Sequence, residues 1–193
     1  MAHVIVDASQ DCNVFRRRWS YLHGNLSPLA HLLRASDRVH WIRFHALPDS
    51  KRYAEHEIER QEILRRANIL GTEILGADAA CWLIQSCIEE YSTASWRAQV
   101  VSQGVCLRSP DPEDDFHWII SVVPTQWRPG AFNDLLIEVA DERAGPVFWM
   151  NQNSNAIFAP YDGGFDLFPP SQLDVEHMRE LHPEWLSSYP DGL

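Results

Sequence analysis

Two short stretches hold the side chains of this chain that could do chemistry. The first is Leu47-Pro48-Asp49-Ser50-Lys51-Arg52-Tyr53; with Arg43 and His45 just before it, it gathers donors and titratable groups into eleven residues. A strand end running into a helix start favours anions, because side-chain donors and free backbone N–H groups point the same way. The second stretch is Pro160-Tyr161-Asp162-Gly163-Gly164-Phe165-Asp166. Its carboxylates Asp162 and Asp166, with Tyr161 beside them, could bind a cation or carry acid/base work. The candidate ligand-binding set is therefore Arg43, His45, Ser50, Lys51, Arg52, Tyr53, Tyr161, Asp162 and Asp166. A structural reading of the same residues stands beside it. Asp162 then caps its own turn, Asp166 pairs with an arginine, and Lys51 and Arg52 join ion pairs with acidic neighbours.

Strands and turns must position these groups. Asp162-Gly163 between apolar runs is a strong hairpin signal, and it predicts positive φ at Gly163 or Gly164. Strands are expected at 155–159 and 164–168, with Phe165 and Leu167 on one face and Asp166 and Phe168 on the other. A strand at 39–45 puts Trp41, Arg43 and His45 on one face. Pro48 ends it, Asp49 and Ser50 are candidate caps, and the longest helix follows at about 53–75. Ile63, Ala67, Leu70 and Ile74 form its buried stripe. A basic cluster needs acidic neighbours and a carboxylate on an apolar strand needs a donor, so segment 47–53 is expected beside the hairpin.

Elsewhere, a helix at 11–22 would bury Val14, Phe15, Trp19 and Leu22. Ser27-Pro28 opens a short helix at 29–34. Strands are expected at 81–88, 116–123 (closed by Pro124) and 147–151, with a helix from Pro129-Gly130 to about 142. Ser171 caps a helix to about 181 with Leu173, Met178 and Leu181 inward. Residues 96–101 fit helix and strand equally. The whole predicts an α+β fold in one domain, 1–193. A single mixed or mainly antiparallel sheet would carry helices over one face and end in a β-meander.

Composition narrows the function classes. Residues 1–70 hold 11 Lys+Arg against 8 Asp+Glu, whereas residues 71–193 hold 5 against 19, a net −14. That disfavours nucleic acid and anionic membranes and suits a basic protein partner. No run reaches transmembrane length and no signal-peptide pattern opens the chain, so the cytoplasm is expected. The four cysteines lack a Cys-x-x-Cys pair, and Cys81 and Cys87 read as buried fillers. Neither a phosphate-cradling glycine loop, a Gly-x-Ser-x-Gly elbow nor a His-Glu-x-x-His pair occurs. A composite metal site from His45, His56 or His117 with Asp162 or Asp166 is conceivable, but metal sites usually need three or four convergent ligands. No metal and no cofactor is expected.

The segment from His45 to Tyr53, the segment from Pro160 to Asp166, and the ending from Trp185-Leu186-Ser187 to Gly192-Leu193 together resemble an uncharacterised bacterial family. The likeness runs from about Trp41 to the end. It implies membership of a domain family of unknown function and carries over no catalytic residue. A looser likeness in size and acidity, to immunity proteins that neutralise toxins, implies protein binding. Two readings follow. One is a non-enzymatic acidic protein-binding module, immunity-like or regulatory, which the missing catalytic motifs favour. The alternative is an enzyme or small-ligand binder acting on an anionic substrate through the Lys51/Arg52/Tyr53 and Tyr161/Asp162/Asp166 cluster.

Overall fold

The computed structural model describes residues 4–5, 10–111 and 114–186. The part of the resembling C-terminal motif at 187–193 lies outside the described residues. In chain order the first elements are β1 (Val4–Ile5), α1 (Gln10–His23), α2 (Ala30–Arg34), β2 (Ile42–His45), α3 (Glu57–Leu75) and β3 (Ala80–Ile88). Then come α4 (Ala94–Ser102), β4 (Val105–Pro110), β5 (His117–Gln126), α5 (Asn133–Ala140), β6 (Val147–Asn151), β7 (Ile157–Tyr161), β8 (Gly164–Phe168) and α6 (Gln172–Leu181). The strands form one sheet in the order β1-β4-β5-β3-β6-β7-β8-β2. Every pairing is antiparallel. This is the expected α+β fold, and β6, β7 and β8 are its meander.

Strand alternation divides the side chains between two cores. On one face Leu83, Trp149, Phe158, Phe165, Leu167 and Phe44 meet Ile63, Ala67 and Leu70 of α3, Leu136 of α5 and Met178 of α6. On the other, Trp82, Ile84, Phe148, Met150 and Ile157 meet Phe15 and Trp19 of α1 and Leu33 of α2. Helices therefore cover both faces, not one. The reason is that strands 80–88 and 147–151 are apolar on both sides, so neither face can be left to water.

Several local expectations change for identifiable reasons. α3 starts at Glu57 rather than 53, and Pro48–Ser50 forms a short 3-10 turn before it. Asp49 and Ser50 cap nothing; both have positive φ, at 54° and 57°. β5 runs through Pro124. Trp127 N–H donates to the Ala79 carbonyl beside β3, so alternation turns the Pro124 nitrogen the other way, where β4 has already ended. Residues 96–101 are helical within α4, whose Trp96 indole donates to the Ser86 carbonyl at 2.9 Å. Val14, Leu173 and Leu181 are exposed; Val175 and Met178 fill the α6 face instead. Gly71 is needed inside α3 because a Cβ there would lie 2.2 Å from the Trp127 ring.

The hairpin glycines also differ from expectation. Neither Gly163 nor Gly164 lies in the left-handed region. Gly164 is required for closeness instead: a Cβ on it would stand 2.2 Å from the Phe44 carbonyl oxygen of the neighbouring strand. At Gly163 the nearest atom would be the Tyr161 ring at 3.1 Å, and a side chain can yield more easily than a backbone.

Spacing gave no hint of the Cys12–Cys106 disulfide, which ties α1 to β4 across 94 positions at a Cα separation of 5.6 Å. Cys81 and Cys87 are buried and free, as expected. Burial raises the Cys81 thiol to about 11, which keeps it protonated and inert.

Two outcomes are expected. Gly164→Ala should destabilise the protein by about 2 kcal/mol or more in urea unfolding, as overpacking against backbone does, and Gly163→Ala by clearly less. Thiol titration of the unreduced, unfolded chain should find two reactive thiols, rising to four after reduction; four without reductant would remove the disulfide.

Candidate functional site

The site begins with the pairing of β2 and β8, which sets Arg43 opposite Asp166 and His45 opposite Gly164. Asp166 is buried, and Arg43 grips it with both arms: Nε donates to Oδ1 at 2.7 Å and Nη2 to Oδ2 at 2.9 Å. The Trp41 indole N–H donates to Oδ1 at 3.0 Å, and Arg34 of α2 comes within 3.8 Å of Oδ2. The arginine reading of Asp166 is thus what the structure contains. Three hydrogen bonds engage its two oxygens, so Asp166 positions Arg43.

Arg43 in turn lies 4.4 Å from the centre of the Tyr161 ring, a cation–π contact made strong by burial. Burial pushes the Tyr161 phenol up to about 12, with Arg43 pulling it the other way. The phenol therefore stays protonated at neutral pH and keeps a proton to donate.

Segment 47–53 does pack beside the hairpin, but through one of its two cations. Arg52 pairs with Asp162 and reaches Glu142 at 3.8 Å. The Tyr53 hydroxyl donates to Glu142 at 3.1 Å and lies 3.3 Å from Asp162. Lys51 departs from expectation: its Nζ bonds Glu59 at 2.7 Å and Glu55 at 3.3 Å, on the far side of the segment. Lys51 is extended, at φ −60° and ψ 126°, and in extended backbone successive side chains leave on opposite sides, so Lys51 and Arg52 diverge. The turn before them brings Ser50 Oγ to 3.1 Å from His45 Nε2. Burial first, then Arg43 and Arg66, depress the His45 pKa, so the imidazole is neutral at pH 7. Arg66 fixes the strand end by donating to the His45 carbonyl at 3.0 Å, and Glu62 holds Arg66 at 2.6 Å.

These groups surround a cavity of about 600 Å³. Arg43, His45, Ser50, Arg52, Tyr161, Asp162 and Asp166 line it, with Ala30, His31 and Arg34 from α2, Val139 from α5, and Glu142 and Ala144 to Val147 on the way into β6. Lys51 and Tyr53 are outside the lining. Arg34, Trp41 and Glu142 were not anticipated. Trp41 had a signal, since it shares a strand face with Arg43; Arg34 and Glu142 arrive through tertiary packing alone. His117 has no part in a composite metal site with Asp162 or Asp166: it stands on β5, four strands from β8, near Glu90 at 3.6 Å. Ligand atoms of Glu89, Glu90 and His117 do lie within 4.8 Å of one another, but Arg108 already neutralises Glu89 at 2.6 Å.

The two motif segments meeting across one cavity are both covered by a family model that matches residues 29–190. The chain belongs to the DUF3885 family, a domain of unknown function. No curated protein and no solved structure matches it. The DUF3885 match takes in the cavity lining and leaves α1 outside it. Among the described residues no helix is long and apolar enough to cross a membrane.

The Arg43–Asp166 pair gives this DUF3885 protein a sharp stability test. Asp166→Asn leaves a guanidinium buried and half-paired, so urea unfolding should show a loss of about 3 kcal/mol. Replacing both partners, Arg43→Met with Asp166→Leu, should recover most of that loss. Equal damage in the single and double variants would contradict the account.

Proposed function

We propose that the cavity binds a small organic ligand carrying an anionic group. The supporting observation is convergence: Arg34, Arg52, Ser50, His45 and the Tyr161 hydroxyl all line one concave space of about 600 Å³. That volume falls within the range of small-molecule sites. The wall between them is apolar, from Ala30, Val139, Pro146, Val147 and Ala159. Arg43 is committed to Asp166, but Arg34 meets that carboxylate only at 3.8 Å, and Arg52 is more than half exposed. Both can turn toward an incoming carboxylate or phosphate. The strained residue Ser50 belongs to the lining, and functional sites commonly store such strain.

The net −14 on residues 71–193 favours, as a second reading, a basic protein partner. Its association would slow as salt rises. The disulfide bears on the compartment, since such bonds persist in oxidising surroundings. A cytoplasmic home would require Cys12 and Cys106 to be reduced there.

The test is thermal shift and calorimetry against a panel of small carboxylates and phosphates. At least one should raise the melting temperature of the wild type, and its affinity should fall about tenfold or more in Arg52→Ala and Arg34→Ala, the usual effect of losing a charge-assisted contact. Lys51→Ala should bind normally. Silence across the panel, or equal loss in Lys51→Ala, would overturn the reading.

A further inference from the structure

We infer that Ser50 and His45 form a nucleophile–base dyad, and that the cavity ligand is an ester of a small acid which Ser50 attacks. The inference rests on the cavity reading above and adds a reaction to it. Three observations carry it. Ser50 Oγ is 3.1 Å from His45 Nε2, within reach for direct proton transfer. Ser50 and the residue before it both hold left-handed φ, 57° and 54°, in a stretch without glycine. This backbone, uncommon for serine, lifts the hydroxyl to the cavity rim, where both dyad members belong to the lining.

The surroundings supply the other requirements. Arg43 and Arg66 bear electrostatically on His45, and burial acts with them, so the free imidazole is favoured over its cation. The Arg66–His45 carbonyl bond and the buried Leu47 fix the entry to the turn that brings the pair together, and the Lys51 N–H closes its exit on the Pro48 carbonyl. Arg52 and the Tyr161 hydroxyl, on the same cavity, provide donors for an anionic group or for charge developing on a carbonyl oxygen. A purely structural role for the pair would not need the hydroxyl at a rim exposed to solvent.

The step balances with water as the only co-reactant. Ser50 Oγ bonds to the ester carbonyl carbon while its proton passes to His45 Nε2. The tetrahedral adduct collapses, the carbon–oxygen bond to the leaving alcohol breaks, and that alcohol takes the proton from His45. Water then attacks the acyl-serine, again losing its proton to His45. Ser50 recovers that proton as the carboxylic acid departs.

A fluorophosphonate probe tests the dyad without knowledge of the natural ester. Intact-mass and peptide mass spectrometry of the full chain should find one adduct, on Ser50. Labelling should be absent in Ser50→Ala and in Ser50→Gly; the glycine accepts the left-handed backbone and guards against a folding defect. It should slow at least tenfold in His45→Gln with the melting temperature preserved. An unlabelled Ser50, or labelling at the same rate in His45→Gln, overturns the dyad. If small carboxylates still bind in that case, the cavity reading survives; if Ser50 is labelled but no anion binds, the dyad survives and the anion reading fails.

Discussion

The bidentate pair between Arg43 and Asp166 is the constraint on which the rest of the site depends. Both partners are almost wholly shielded from water. Each alone would be very costly to bury, and their mutual attraction offsets that cost only when the geometry is good and further hydrogen bonds complete it. Here the Trp41 indole supplies that further bond, with Arg34 nearby at 3.8 Å. The pair joins directly opposed residues of β2 and β8, so it also fixes the register of a four-residue edge strand. A one-residue slip would throw Arg43 into the apolar face occupied by Phe44 and Ile42. Everything that hangs from the end of β2 inherits its place from this register: His45, the turn at Pro48–Ser50, and Arg52.

Much of this was legible because the relevant rules are local. Alternation correctly separated Phe165 and Leu167 from Asp166 and Phe168, and it put Trp41, Arg43 and His45 on one face. Charge balance correctly drew segment 47–53 to the hairpin. What escaped depends on which strand lies alongside. Gly164 was read through its φ, yet its constraint is the Phe44 carbonyl, contributed by a strand about 120 residues away in sequence. Pro124 was read as a stop, yet it stands where the strand has no partner to lose. The Cys12–Cys106 pairing had no spacing rule to reveal it, because it arises only when α1 lies across the sheet.

The divergence of Lys51 and Arg52 shows the same limit within two residues. Composition treats them as one basic pair. The backbone turns Arg52 to Asp162 and Lys51 to Glu59, so one cation belongs to the cavity and the other to the start of α3. Charge clusters identify a neighbourhood, whereas membership of a site is decided by φ and ψ.

The turn just before these two cations carries an energetic cost. Two consecutive non-glycine residues in the left-handed region cost of the order of 1–3 kcal/mol each, unless the surroundings over-determine them. Some of the compensation is visible: Leu47 is buried before the turn, Lys51 N–H closes it on the Pro48 carbonyl, and Ser50 bonds His45. Only the last of these requires the side chain of Ser50. Glycine at that position would hold the same turn with less strain but would lose the bond to His45. What serine adds is the hydroxyl, and the hydroxyl meets His45 in the lining of the cavity.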